Sequence, residues 1–545
     1  MIAYFTDFVN TLNKPKHWLL LANIFFVLFL IILNNLGIIP LRMGDFAFFA
    51  ILFLGFALYR PGWAFLFFIG TIPLENINLA PMELGISIRP YQFIGALTIT
   101  AIIIRLLSGK LNFKLIKLNF VDYLVIVMML AGFVSAIVAK IETQSIASLR
   151  LEIIFATFVF LYFLVRNYIQ NSEDLKKVIP FFLSSSVIVV LYGIWQNIWF
   201  LRGLNSFETM PGRPNATFTE ADWLGIFIIL FISVSYVLIY RIMNYELRIK
   251  KIGLFLLLSS SFLLLILTVS RSAWLGVIAT TIIFLLIIFT NLRINPKNLP
   301  AGEAGWQWKK TIQMKLIIIP AFIIAVLAVY IFHLTNFQLF NRVQSTTSGL
   351  QKITISCNVG NENFRSLPKE INNVSELEKY NCRHINLEEI NSEKAQGKYV
   401  AEIYRKDPNV SIRSEIYQKS WQEVKNHWIL GIGWGSIGKV LGQDERGISL
   451  NSSNIFLEVW LGSGVLGFAS FLIVIAYILL RAIKNYYLSK DDSERIISLL
   501  LIVSWFGIII ANFFNAGIFL GFLWVWLGIT NYEINTKYEN TKSSE

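Results

Sequence analysis

The sequence predicts an all-α polytopic membrane protein of about 12–14 transmembrane helices, with one large periplasmic loop between the last helices. Three observations carry that expectation. The 545 residues are 55% hydrophobic, include 45 Phe and 15 Trp, and are only 15% charged, which is a membrane composition. Apolar windows of roughly 20 residues, the length needed to cross a hydrocarbon core about 30 Å thick, recur along almost the whole chain. Lys and Arg crowd into alternate connections between those windows, as happens where positive loops stay cytoplasmic.

The windows lie at 18–36, 43–59, 62–74, 90–107, 121–139, 149–166, 178–200, 222–240, 252–269, 272–290, 315–333, 456–480, 496–513 and 515–530, the third being the shortest. Backbone amides in lipid must be paired internally, and these stretches lack the alternation of a barrel strand, so helices are expected. Residues 17–36 outlast the apolar segment of a secretory signal and no small-residue cleavage site follows, which predicts a retained helix. With the N-terminus inside, the cytoplasmic segments hold about 25 Lys and Arg and the short outside connections about 7, the direction the rule demands. The chain divides into a bundle of about 11 helices at 1–333, a large periplasmic loop at 334–453, and C-terminal helices with a cytoplasmic tail at 454–545. The net charge of +13 then belongs to cytoplasmic turns beside membrane helices. Membrane lipids are expected partners and nucleic acid is not.

Within the large loop, residues 346–397 read as variable and poorly ordered. The stretch "SIRSEIYQKSWQEVKNHWILGIGWG" instead has helical spacing in Ile412, Ile416, Trp421 and Val424, followed by a glycine-rich turn. Cys357 and Cys382 are the only cysteines; one disulfide and two free thiols are both open readings. His17, His333, His384 and His427 are scattered, so no metal site and no cofactor is expected.

Arg271 stands alone between two apolar runs, "ILTVSRSAWLGVIA", at the outer end of a hinge, with Ser272 as a candidate N-cap. An arginine fork beside a helix start suits an anion, whereas snorkelling to the interface, or pairing with Asp222, suits the same position. On the same side, "FETMPGRPNATFTEADWLG" sets Arg213 in a stiff turn, and Thr219 with Asp222 has capping-box spacing, which explains Glu220 and Asp222 without chemistry. A third element, Gly431 to Phe468, runs through Asn451, Ser452, Ser453 and Asn454 into a helix carrying Glu458. Gly462, Gly464 and Gly467 there suit close helix packing, while a carboxylate just inside a membrane points to function.

Three separated segments on one side, "GRPNATFTEADWLG" at 212–225, "SRSAWLG" at 270–276, and "RSEIYQKSWQEVKNHWILGIGWGSIG" followed by "NSSNIFLEVWLGSGVLGF", resemble the bacterial O-antigen ligase and O-antigen polymerase superfamily. The resemblance implies metal-independent glycan transfer at the periplasmic face of the inner membrane, for lipopolysaccharide or exopolysaccharide synthesis. The donor it implies is an undecaprenyl-diphosphate-linked glycan, and the acceptor a hydroxyl on lipid A core or on another glycan. Arg213 and Arg271 match the family's two periplasmic arginines and Arg413 a further one, which implies diphosphate binding. Ser453, Asn454, Glu458 and Glu220 are the expected catalytic set. Ser453 departs from the histidine usual in that place, and a serine hydroxyl orients an acceptor without taking its proton near neutral pH. His427 is a further base candidate. A transporter resembling bicarbonate-uptake relatives and an inactive assembly partner are the competing readings, and ligase and polymerase are not separated by the sequence.

Overall fold

The computed structural model describes residues 15–110, 115–143, 146–210, 212–242, 248–290, 303–337, 349–358, 367–372, 374–385, 389–406, 408–443, 449–489 and 491–530. The expected cytoplasmic termini, at 1–14 and 531–545, lie outside them. The protein is an all-α polytopic membrane protein. Among the described residues, ten helices are long and apolar enough to cross a membrane and four more apolar helices are shorter. Each of the fourteen windows therefore holds a helix. The last, Gly521–Thr530, spans 10 residues and is shorter than the third, Pro61–Thr71, which spans 11.

The helices are α1 (Pro15–Asn35), α2 (Met43–Tyr59), α3 (Pro61–Thr71), α4 (Pro90–Leu107), α5 (Phe120–Thr143), α6 (Ala147–Tyr168), α7 (Ser172–Leu201), α8 (Ala221–Ile242), α9 (Arg248–Leu267), α10 (Arg271–Thr290) and α11 (Glu303–Ile331). The 334–453 region follows, and then α15 (Ile455–Leu488), α16 (Asp492–Asn512) and α17 (Gly521–Thr530) close the bundle. Helix α8 is the hub. Its apolar window is 89% buried against α9, α10 and α16, as a helix that is apolar all round requires.

Within 346–397, residues 346–348, 359–366, 373 and 386–388 lie outside the described residues, and the described part is ordered, contrary to expectation. β1 (Leu350–Cys357), β2 (Glu370–Ile371), β3 (Cys382–Ile385) and β4 (Tyr399–Lys406) form a four-stranded sheet in the order β2-β4-β1-β3, with α12 (Ile390–Ala395) before β4. Its small core contains Ile353, Ile355, Cys357, Ile371, Leu377, Cys382 and Ile403. The polar composition hid a short two-residue periodicity, Ile353, Ile355 and Cys357, on one face of β1. Cys357 and Cys382 are register partners on β1 and β3 and form a disulfide, which closes the question the sequence left open. After β4 come α13 (Pro408–Asn426) and α14 (Trp434–Leu441). On α13, Ile416 and Val424 are buried, while Ile412 and Trp421 stay exposed.

Helix α15 is broken at Gly464, whose φ of 65° and ψ of −172° are not helical. The segment after α13 fills the break. The Ile432 N–H donates to the Leu461 carbonyl at 2.7 Å, and the Val465 N–H donates to the Trp428 carbonyl at 3.0 Å. Irregular backbone at membrane depth is tolerated where protein pairs it in this way. Gly462 lies against the Trp434 ring, where a Cβ would come within 2.2 Å of it, so close packing explains these glycines.

Candidate functional site

Connections far apart in sequence meet at the end of the bundle that carries the sheet. The 72–89 connection is locked to two others. The Asn76 N–H donates to the Thr217 carbonyl at 2.7 Å. Glu75 accepts the Gly521 N–H at 2.6 Å and the Tyr91 hydroxyl at 2.9 Å, and its carboxylate pairs with Arg89 at 3.0 Å. Burial pushes the Glu75 carboxyl above the ordinary range, while Arg89 opposes that shift. Arg89 also donates to the Phe519 carbonyl at 3.3 Å. This network uses every polar group it buries, so it reads as a frame that fixes the connections.

Arg213 sits inside that frame. Its backbone N–H donates to the Met210 carbonyl at 3.1 Å, its Nε donates to the Thr268 carbonyl at 3.1 Å, and its Nη2 lies 3.4 Å from Asp222 Oδ2. Asp222 also hydrogen bonds the Ser270 side chain and interacts electrostatically with Arg413. The pairing of Asp222 is therefore with Arg213, and the capping box expected from Thr219 and Asp222 does not form. Thr219 Oγ1 is buried with no hydrogen-bond partner among the described residues, and the Asp222 carboxylate turns to the arginine. Glu220 accepts the Leu224 N–H through its carbonyl at 3.1 Å and so occupies the start of α8.

Arg271 is the first residue of α10, between Ser270 and Ser272, and is half-buried. The Trp274 N–H donates to the Ser270 carbonyl at 3.0 Å, which puts Ser270, not Ser272, before the helix. Ser272 instead accepts from Asn515 Nδ2 at 2.8 Å and shares a 3.2 Å contact with the Ser270 hydroxyl. Arg271 thus follows directly on Ser270, whose side chain hydrogen bonds Asp222.

Arg413 and Tyr417, one turn apart on α13, extend the cluster toward α15. The Tyr417 hydroxyl donates to the Ser453 carbonyl at 3.2 Å. Ser453 is held at φ 49°, and its N–H donates to Asn451 Oδ1 at 2.9 Å. Asn454 caps α15: Oδ1 accepts the Phe456 N–H at 2.9 Å and the Leu457 N–H at 3.1 Å, and Nδ2 donates to the Phe513 carbonyl at 3.0 Å. Glu458 is buried beneath this turn, and its Oε2 accepts the Ser452 N–H at 2.8 Å. His427 lies apart at the end of α13, 3.7 Å from Glu423.

The structure therefore brings together Arg213, Asp222, Ser270 and Arg413, with Arg271 beside Ser270 and with Ser453 and Asn454 joined through Tyr417. It leaves Glu458 as an internal bracket and His427 outside. Two arginines around one carboxylate leave an excess of positive charge, which suits an oxyanion. Among the described residues no group of three His, Cys, Asp or Glu has the arrangement to hold a metal ion. Two carboxyl groups, one buried and one half-buried, have no sequence signal. Glu152 on α6 accepts the Trp434 Nε1–H at 2.8 Å, which pins α14 to the bundle. Glu208, on the connection that carries Arg213, accepts the Gly212 N–H at 2.9 Å.

Residues 253–472 match the family model described as O-antigen ligase. The match takes in Arg271, Arg413, Ser453, Asn454 and Glu458 and leaves out Arg213 and Glu220. No curated protein matches the chain.

Proposed function

We propose that this chain, whose residues 253–472 match the O-antigen ligase family model, moves a glycan from undecaprenyl diphosphate to an acceptor hydroxyl at the periplasmic face of a bacterial inner membrane. Glycan transfer from a lipid-linked donor to a glycan acceptor is the family's general chemistry. The donor, the face and the residue roles are our reading. The observation that carries it is the gathering of Arg213 and Arg413 about Asp222, with Arg271 beside Ser270.

A departing lipid diphosphate develops negative charge, and guanidinium forks stabilise it without a metal. Arg213, Arg271 and Arg413 are assigned to that diphosphate. Ser453 orients the acceptor; Asn454 and Glu458 hold the turn that presents it; Glu220, beside Asp222, completes the set on the acceptor side. The disulfide between Cys357 and Cys382 supports an oxidising compartment for the loop, and the basic connections at the other end support a cytoplasmic position for that end. The acceptor is lipid A core or a growing glycan.

Surface-glycan gels from cells carrying Arg213→Ala or Arg271→Ala test the reading. Loss of long chains with short ones retained identifies a polymerase. Loss of all glycan attached to lipid A identifies a ligase. An unchanged pattern from both variants removes the enzymatic reading.

A further inference from the structure

The connection that carries Arg213 holds a carboxyl group that ion pairing leaves unused. Glu208 Oε2 accepts the Gly212 N–H at 2.9 Å, while Oε1 is buried and takes no hydrogen bond among the described residues. Three other acids at this end are committed: Glu75 to Arg89, Tyr91 and Gly521, Asp222 to Arg213, and Glu458 to Ser452. Burial raises the Glu208 carboxyl to about 7, against the pull of the Gly212 amide and of the Ser206 side chain, which places its titration where a proton acceptor works near neutral pH.

Its neighbour Phe207 has a φ of 57°, a left-handed conformation that a bulky side chain adopts only when its surroundings enforce it. The Phe207 ring is 39% exposed and lies parallel to Trp195, with centroids 6.5 Å apart and an interplanar angle of 14°. Trp195 packs on Trp199 at 4.8 Å, and Arg202 covers Trp199 at 5.8 Å. Aromatic faces carry negative charge density and receive the C–H faces of a pyranose ring. The strained backbone thus sets Phe207, on its aromatic platform, next in the chain to Glu208, in the connection that leads to Arg213.

We propose that Glu208 is the proton acceptor for the attacking hydroxyl and that Phe207, Trp195 and Trp199 form the platform for the acceptor sugar; this rests on the glycan-transfer reading above. The hydroxyl proton moves to the Glu208 carboxylate as the acceptor oxygen bonds to the anomeric carbon of the donor. The bond from that carbon to the diphosphate oxygen breaks, and its electron pair leaves with the lipid diphosphate, whose charge the arginines take up. The proton then passes from Glu208 to water.

Glu208→Gln keeps an oxygen for the Gly212 N–H, so the turn persists while proton transfer is lost. The probe is the cell's own lipid-linked glycan, extracted and supplied to the full-length protein in proteoliposomes, with released lipid diphosphate as the readout. Turnover by Glu208→Gln is expected to fall about 10²–10⁴-fold at an unchanged KM for the donor, and Glu208→Ala is expected to regain activity with added formate. Trp195→Ala is expected to raise the concentration of glycan acceptor needed for half-maximal rate. Wild-type turnover by Glu208→Gln, or a Glu208→Ala protein that formate does not rescue, overturns the assignment. Arg213→Ala in the same assay separates the two readings. If it abolishes turnover while Glu208→Gln does not, only this proposal falls; if neither changes turnover, the transfer reading falls with it.

Discussion

Arg213 spans the start of α8 to reach Asp222, with Nη2 3.4 Å from Oδ2, while its Nε is spent on the Thr268 carbonyl. The guanidinium is thereby held as a plane by two elements, and one edge is set by backbone alone. A lysine keeps the charge but has no fork to satisfy both partners and a phosphate oxygen together. Arg213→Lys is expected to lower glycan transfer by about 10–100-fold, at the lower end of what losing a preorganised donor costs, and surface-glycan gels with densitometry check it. Wild-type glycan from the lysine variant would show that charge alone suffices.

The Trp434 indole is a fixed point between the loop and the bundle. Its ring stacks on Phe155 at 5.1 Å and its Nε1–H goes to Glu152 Oε2 at 2.8 Å. Glu152 Oε1 is already buried without a partner among the described residues. Trp434→Phe keeps a ring and strands the second oxygen, which costs about 1–3 kcal/mol. Adding Glu152→Leu removes the stranded group, so the double variant is expected to be more stable than the sum of the single changes by about 0.5–3 kcal/mol. Thermal unfolding in detergent of the four proteins in the cycle measures this.

How legible these features were in the sequence follows from the range of the forces involved. The helices were legible because each is set by a local run of apolar residues, and Arg213 and Arg413 were singled out because both lie beside recognisable motifs. The sheet was not: β1 draws its buried face from only Ile353, Ile355 and Cys357 and pairs with a strand 42 or more residues away, Leu350 with Lys406 and Cys357 with Tyr399. The structural roles of Asn454 and Glu458 were not legible for a related reason. A polar residue at the start of a membrane helix looks the same whether it meets a substrate or caps the helix, and only the Phe456 and Ser452 amides decide. Glu208 carried no motif, since its unpaired oxygen results from burial by distant elements.

The sheet domain has its own acid-sensitive joint. Glu393 accepts from the Ser356 hydroxyl at 2.6 Å, Lys398 at 3.1 Å and Arg383 at 2.9 Å, and these donors hold its carboxyl down at about 2. A carboxyl whose folded value lies below its unfolded one stabilises the fold above the ordinary carboxylate range, and that contribution is lost as pH falls toward the depressed value. The loop is therefore expected to resist protease at pH 6 and to become progressively sensitive between about pH 4.5 and 2. Glu393→Gln is expected to flatten that profile, and an acid-tolerant protease run on full-length protein reads it.

Gly464 offers the sharpest test of how the loop docks. Its φ of 65° suits only glycine, and a Cβ there would lie 2.1 Å from the Ile429 carbonyl oxygen. Alanine must therefore either displace the Trp428–Gly433 segment or straighten α15, and straightening would leave the Ile432 N–H without the Leu461 carbonyl it now uses. Strain of this kind costs about 1–3 kcal/mol before any clash is counted, so Gly464→Ala is expected to lower the thermal midpoint. Because the same segment joins α13, with Arg413 and Tyr417, to α14, the variant is expected to lose glycan transfer even at temperatures where the bundle stays folded. Gly253→Ala, where a Cβ would meet nothing within 4 Å, is expected to do neither. Equal behaviour of the two variants would mean that the break does not position the loop.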